Sequence, residues 1–335
     1  MKKILKLFGL SFLMLMVASS SHARSLESSV MGMFPKDVGE FGCADLSKAR
    51  ELSWFPQFEA QLVPVALYGF ERFLAAAQMR PTSSIEEVAW ARVAGSNAVA
   101  DSSADSDPAV RGNEQLVAVA IGDFDADAIQ LALTSAKVPS LQVGNFTLYD
   151  AGTGSGASDT FFAFVDWQRI AFGPLDQLER VLKVRSDGEE NLLQNEAMMT
   201  LIDQANGEGI IWAVLDSPRV ASAIGRLIPE ATSFPQSQAM IGKMKQLLIT
   251  VKAPSDIEVD LQAKSATAEE AIVLSQLLQA GVLVRRYQTD SGNNPDLAKM
   301  LDTISISANG TLLDISFDLT NEQVTGLIEH NIFAM

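Results

Sequence analysis

The stretch AIGDFDADAIQLAL (120–133) has a counterpart in AKSATAEEAIVLSQ (263–276), and each joins the end of an apolar strand to the start of a helix. Three aspartates of the first stretch are replaced in the second by Ala266, Ala268 and Glu270. Both stretches retain an acidic residue near a helix N-terminus, where the helix dipole stabilises negative charge. The pair therefore suggests that one structural unit is written twice.

The surrounding elements repeat in the same order. Each half is predicted to contain a strand, a helix, two strands, a helix, a hairpin and a helix, with Asp45 aligned with Asp216. Because closely joined neighbouring strands pair antiparallel, this order predicts an α+β fold. We expect two tandem copies, residues 24–190 and 191–335, with a mainly antiparallel sheet and helices packed on one face. Two separate sheets and one continuous sheet both remain possible.

Local signals place the elements. Helices are predicted at 127–136, at 174–184 with Pro174 as first residue, at 271–283 after a Thr267–Glu270 capping box, and after a second box at Thr320–Gln323. Asn309-Gly310 predicts a tight hairpin. Strands are predicted at 85–93, 116–121, 146–149, 161–165, 170–172, 210–215, 246–251, 257–263, 304–307 and 312–319.

The first residues are typical of a secretory signal peptide. Three lysines flank the start of an apolar run at 4–17, and Ser21-His22-Ala23 provides small residues for a cut after Ala23. An uncleaved N-terminal anchor is the alternative. After cleavage no further apolar run approaches a membrane span, so a periplasmic or extracellular location is predicted.

The composition argues against several classes of partner. The chain of 335 residues carries a formal charge of −16, and without the signal lysines 22 basic residues face 41 acidic ones, a charge of −19. Such an excess opposes binding to nucleic acid and to anionic lipid. One cysteine excludes an intrachain disulfide. Cys43 is interpreted as a small buried apolar residue, or alternatively as a reactive thiol near a helix start.

The aspartates at 123, 125 and 127 resemble the start of a calcium-binding loop. That loop requires Gly at its sixth position and a bidentate Glu at its twelfth, which here are Ala128 and Thr134. Structural capping of a helix is therefore the favoured interpretation.

Other catalytic arrangements lack essential residues. His22 leaves with the signal peptide, and His330 lies at the end of the last helix, a poor place for a general base. One His and one Cys cannot form an ordinary zinc site. The Gly-rich loop 151–159 lacks the Lys of a P-loop and precedes a strand, so a hairpin loop is expected. No catalytic, cofactor-binding or metal-binding residue is predicted.

Aromatic residues are concentrated in the first half. Their rings either close the core over the sheet or form a surface for a protein partner or an apolar ligand. The corresponding segment of the second half, RVASAIGRLIPEA (219–231), has no aromatic residue, which favours a feature specific to the first half. The candidate surface consists of Trp54, Phe55, Phe58, Tyr68, Phe70 and Phe73.

Three segments resemble secreted bacterial protein families of unknown function that contain duplicated α+β units. They are FPKDVGEFGCADLSKA (34–49), DWQRIAFGPLDQLERVL (166–182) and ENLLQNEAMMTLIDQANGEGIIWAVLD (190–216). Leu193, Asn195 and Asp216 follow those families' Leu-x-x-Asn helix and strand ending in Asp, although Asn195 stands two residues after Leu193 instead of three. The resemblance implies an exported α+β protein, and it implies no activity or site residue.

The sequence favours an exported, non-enzymatic envelope or extracellular protein that binds a protein partner or an apolar small molecule. A carboxylate-dependent hydrolase acting in the cleft between the two copies is the alternative, because two suitably spaced acids suffice for that chemistry. A purely structural or assembly role is a third possibility.

Overall fold

Twelve strands form one antiparallel sheet in the computed structural model, which describes residues 25–56, 84–94, 114–151, 160–217, 219–220, 224, 239–290 and 295–329. The strands are β1 (Glu40–Asp45), β2 (Ile85–Ala94), β3 (Glu114–Gly122), β4 (Ser140–Val143), β5 (Phe146–Asp150), β6 (Thr160–Phe164), β7 (Arg169–Pro174), β8 (Ile211–Asp216), β9 (Gln246–Lys252), β10 (Ile257–Lys264), β11 (Ser305–Asn309) and β12 (Leu312–Leu319).

Helices connect these strands. They are α1 (Ser28–Met31), α2 (Leu46–Ala49), α3 (Ala126–Ser135), α4 (Leu175–Asp187), α5 (Glu196–Ala205), α6 (Ala268–Asp290), α7 (Pro295–Thr303) and α8 (Asn321–Glu329), and a short 3₁₀ helix covers Leu192–Gln194.

The two halves of the chain meet at the centre of the sheet. Strand β1 pairs with β8, so that Phe41 lies opposite Val214 and Cys43 opposite Trp212. The order outward from β1 is β2-β3-β7-β6-β5-β4, and outward from β8 it is β9-β10-β12-β11. The sheet is therefore continuous across both halves, one of the two arrangements that the sequence left open.

Helices cover both faces of the sheet, so the prediction of helices on one face is wrong. Buried residues of α1, α4 and α5 pack against Phe41, Ala89 and Val119 on what we call the first face. Helix α3 packs on the opposite, second face against Ala118 and Ala120. The physical reason lies in central strands such as β3, whose unbroken apolar run buries side chains on both sides instead of alternating apolar with polar residues.

The second face also carries the core of the second half. Apolar side chains of α6, α7 and α8 pack there against β8, β9, β10 and β12. The first face of β10 and β12 carries polar side chains instead. Gln262 there donates to Asp314 at 2.9 Å, and Lys252 on the neighbouring β9 pairs with Asp260 at 3.3 Å. These outer strands thus show the alternation expected of a sheet with one solvated side.

Most local predictions are confirmed, with small corrections. The hairpin turn between β11 and β12 contains Gly310 at φ +58°. At the last helix, Thr320 and Gln323 form a complete capping box at 2.7 and 3.2 Å. Pro174 ends β7 and caps α4, rather than being its first residue. Helix α6 continues seven residues beyond its predicted end at 283, while β4 and α7 are absent from the sequence predictions.

Candidate functional site

The predicted aromatic surface is only partly within the described residues. Trp54 and Phe55 are buried and pack with Leu215 and Leu247 in the core of the second face. These two rings therefore belong to the core, the other interpretation that the sequence allowed. Phe58, Tyr68, Phe70 and Phe73 lie outside the described residues, and for them a partner surface stays a prediction.

Cys43 is a structural residue. It is buried on the first face in the middle of β1. Burial raises the pKa of its thiol, and the nearby negative charges of Glu87 and Asp45 raise it further. A reactive cysteine needs a lowered pKa, so this environment rules out the reactive interpretation.

The aspartate-rich stretch caps a helix, as its sequence pattern indicates. Asp125 is the N-cap of α3, and its carboxylate accepts a hydrogen bond from the backbone N–H of Ala128 at 2.9 Å. Asp127 lies in the first turn of the same helix. Within the described ranges, His, Cys, Asp and Glu side chains form no group of three placed to hold a metal ion.

A small cavity of about 260 Å³ lies beside the turn between β6 and β7. Arg169 lies in its wall, 3.3 Å from Glu27 and 3.4 Å from Asp166, and it donates to the Ser29 hydroxyl at 2.8 Å. The guanidinium is thus already neutralised by two carboxylates. This network ties the N-terminal segment around α1 to the sheet, which is a structural task.

A larger and more open cleft of about 900 Å³ lies between α4 and the segment that leads into α5. Asp37 lies 2.6 Å from Arg180, and Glu190 lies 3.2 Å from Lys36. These two carboxylates are therefore engaged in exposed ion pairs at the cleft, which Glu189 and Glu196 also line. Since a glycosidase-type site needs two acids facing the same bond, this geometry gives the hydrolase alternative no specific support, and it stays a prediction.

Five of the ten exposed large apolar residues in the described part of the chain lie on the solvent-facing side of α6. Large apolar side chains project from it, and Tyr287 is 79% exposed and Leu283 64% exposed. At about 100° per residue, the six positions of this surface lie within roughly 60° of one line along the helix. We call this surface the α6 outer face; its residues are Ile272, Val273, Ala280, Leu283, Val284 and Tyr287.

The opposite side of α6 accounts for its place in the fold. Leu274, Leu278 and Val282 are buried in the core of the second face, and Ala271 on the same side is also buried. The helix is therefore apolar on both sides, a composition expected of a helix with packing partners all round. Because one side faces solvent, the α6 outer face is a mainly apolar surface, with the exposed Gln276 near its centre line, of the kind that marks an interaction site.

Sequence reasoning missed this surface. The segment AIVLSQLLQAGVLVRRY (271–287) was recognised only as a helix, yet its runs IVL and VLV place apolar residues on all sides of a helical wheel. That excess was the available signal, because a helix with one buried face needs an apolar stripe and not an apolar ring.

Comparison with known proteins adds information about the fold alone. No family model matches the chain, and no curated protein matches it significantly. Crystal form I of a protein named TP0453 is similar at 10% identity and a TM-score of 0.50, covering 90% of this chain and 97% of that one. Crystal form III gives 8% identity, a TM-score of 0.50, and coverage of 91% and 99%. The α+β architecture with its large antiparallel sheet is thus shared with TP0453.

None of the described helices combines the length and the apolar content that crossing a bilayer requires.

Proposed function

We propose that this protein is an exported, non-enzymatic protein that binds another protein through the α6 outer face. The observation that carries the proposal is the exposure of five large apolar side chains on one side of a single helix. A helix of 23 residues is about 35 Å long and convex, which suits a protein surface. Small apolar ligands are instead bound in concave, enclosing pockets, so a protein is the favoured partner.

The proposed export rests on the N-terminal sequence. Lysines at 2, 3 and 6, the apolar run 4–17 and the small residues before Arg24 support a signal peptide that is cut after Ala23. These residues lie outside the described part of the chain. N-terminal sequencing of the protein from its own host tests this part of the proposal, with Arg24 as the expected first residue; a chain that retains Met1 would contradict cleavage.

The proposed internal duplication is supported by the strand order. Strands β1, β2 and β3 run outward from the centre on one side as β8, β9 and β10 do on the other. Helix α3 follows β3 just as α6 follows β10, so the two helices correspond. On α3 one large apolar side chain is exposed, that of Leu131, whereas on α6 five large apolar side chains are exposed. The partner surface is therefore a feature of the second half.

A photo-crosslinking experiment tests the binding surface. A photoreactive amino acid is placed at Leu283, and a matched control carries it at Leu131, which is similarly exposed at 69% on the corresponding helix. In cells of the natural host, irradiation is expected to give a discrete crosslinked band at 283 and none at 131. Absence of a band at 283, or equal labelling at both positions, would contradict the proposal.

A further inference from the structure

We infer that the partner of the α6 outer face is a second copy of this chain, with the two α6 helices packed antiparallel about Ala280. The inference rests on the proposed function, because it names the partner of that same surface. The spacing of the apolar residues and the charges at the two ends of the helix favour this arrangement, and the charge of the whole chain sets its response to salt.

The apolar residues are balanced about the middle of the face. Val273 and Tyr287 each stand seven positions from Ala280, on the same side of the helix. In an antiparallel pair centred on Ala280, Val273 of one copy lies against Tyr287 of the other, and the reverse contact forms at the same time. A two-fold symmetric interface requires this self-complementarity. The small Ala280 at the crossing point allows the two helix backbones to approach closely.

The charges at the two ends of α6 favour the same arrangement. Glu269 is exposed in the first turn, five helical turns before Tyr287 and therefore on the line of the outer face. Arg286 lies one turn before the end of the helix, about 100° around the axis from the centre line of the face, and Asp290 is the last residue, so the C-terminal part of α6 carries two arginines and one aspartate. In an antiparallel pair centred on Ala280, Glu269 of one copy lies opposite position 291 of the other, about one and a half turns along the axis from Arg286, while parallel packing would align like charges.

Arg286 has donors available for this contact. Its Nε lies 2.7 Å from Asp302 of α7, and its side chain remains 48% exposed. A guanidinium carries five N–H donors, so a single carboxylate does not exhaust it. The ion pair with Asp302 also holds the side chain in place, which lowers the conformational entropy lost on binding a second carboxylate.

The net charge of the chain gives the association a characteristic salt response. At a formal charge of −16, or −19 without the proposed signal peptide, two copies repel each other. Added salt screens this repulsion but leaves the apolar contact intact, so association is expected to strengthen as ionic strength rises. One helix face per partner also buries less than the ~800 Å² of a standard interface, so the association should be reversible and concentration-dependent.

Sedimentation velocity of the chain purified from its own host measures the assembly. We expect a dimer that dissociates on dilution, and a Leu283→Glu variant with at least tenfold weaker association. The matched control, Leu131→Glu, changes an equally exposed leucine away from the face and is expected to sediment as the unchanged protein. Far-UV circular dichroism verifies that both variants are folded, as their exposed positions predict. A protein that is monomeric at all concentrations, or an equal effect of both variants, would overturn the inference.

Engineered cysteines test the geometry. Since Cys43 is buried, new surface cysteines are the reactive thiols. Under mild oxidation, Ala280→Cys is expected to form a disulfide-linked dimer by itself. Val273→Cys is expected to remain uncrosslinked alone, but to crosslink when mixed with Tyr287→Cys. Efficient crosslinking of Val273→Cys with itself would indicate parallel helices and overturn the antiparallel arrangement.

The two proposals fail in different ways. A monomer in sedimentation, together with a crosslink from position 283 to a protein of another mass, would refute self-association and support the binding surface. A monomer with no crosslink at 283 would refute both. A crosslinked band at twice the mass of the chain supports both.

Discussion

Asp45 and Asp216 stand at opposite ends of the central strand pair, and each donates its backbone N–H across the pair at 2.8 Å. Asp45 bonds the carbonyl of Ile210, and Asp216 bonds that of Gly39. The two residues were aligned from the sequence as equivalent positions of the two halves. These two equivalent hydrogen bonds join β1 to β8 in the middle of the sheet. There β1 is flanked by β8 and β2, and β8 is flanked by β1 and β9.

This central position predicts a gradient of hydrogen exchange. Amides of β1 and β8 are expected to exchange slowest, and those of the edge strands β4 and β11 fastest, because opening the centre requires separating the two halves. Hydrogen exchange followed by mass spectrometry on peptic fragments measures the order. Exchange at β1 as fast as at β4 would show that the halves open independently.

Glu40 links β1 to β2 through two contacts on the second face. The indole N–H of Trp90 donates to one carboxylate oxygen at 3.0 Å, and Nε of Arg92 lies 3.2 Å from the other. Glu40→Ala removes both and is expected to lower the free energy of unfolding by about 2 kcal/mol. Glu40→Gln keeps an acceptor for Trp90 and should cost about half as much. Urea denaturation measures both, and an equal loss would show that the indole contact contributes little.

Replacement by alanine is expected to cost different amounts of stability at two glycines, Gly42 and Gly310. A Cβ at Gly42 in β1 would overlap the Trp90 ring and lie 2.8 Å from the carbonyl oxygen of Trp212, so Gly42→Ala requires the centre of the sheet to shift. Gly310 has open space around it, and Gly310→Ala costs only the left-handed backbone, about 1–2 kcal/mol. Thermal unfolding should therefore show a clearly larger loss for Gly42→Ala. A larger loss for Gly310→Ala would contradict the tight contact over Gly42.

Substitutions at Asp125 and Asp127 distinguish helix capping from metal binding. Asp125→Ala removes the N-cap of α3 and is expected to cost about 1 kcal/mol. Asp127→Ala removes only a first-turn charge and should cost a few tenths of a kcal/mol. A calcium ion bound to the folded protein would raise the melting temperature by mass action. Because we assign these aspartates to helix capping, millimolar calcium is expected to leave the melting temperature unchanged. A calcium-dependent rise that both variants abolish would restore the metal interpretation.

Cys43 predicts a loss of stability at alkaline pH. Burial raises the pKa of its thiol in the folded protein, whereas in the unfolded chain the thiol ionises near pH 8.5. Above that pH the unfolded state binds fewer protons than the folded state, so the free energy of unfolding falls by up to about 1.4 kcal/mol per pH unit. Cys43→Ala should show a smaller alkaline slope. Urea titrations between pH 7.5 and 10 measure it, and identical slopes would contradict the assignment.

Residues close in sequence carried most of the correct predictions. The hairpin at Asn309-Gly310, the cap formed by Asp125 and the box at Thr320–Gln323 each depend on neighbours within a few positions. Such contacts are available to any chain with that local sequence. The side of the sheet on which a helix packs depends on residues that are distant in sequence, and there the prediction of a single covered face was wrong.

The α6 outer face illustrates the same division. Its apolar residues are visible in the sequence, but exposure is a property of the whole fold, since the core accommodates only one side of the helix. Trp54 and Phe55 show the converse, because rings that suggested a surface are buried against the second half.

The sequence by itself determined the α+β class and most of the helices and strands, because these follow from local propensity, turn chemistry and hydrophobicity, and it left open whether Cys43 is buried. Only the tertiary structure decided that the two halves share one sheet, that helices cover both of its faces, and that one side of α6 faces solvent. Strand pairing across the β1–β8 junction and burial are set by the summed packing of residues more than a hundred positions apart, which no local pattern encodes.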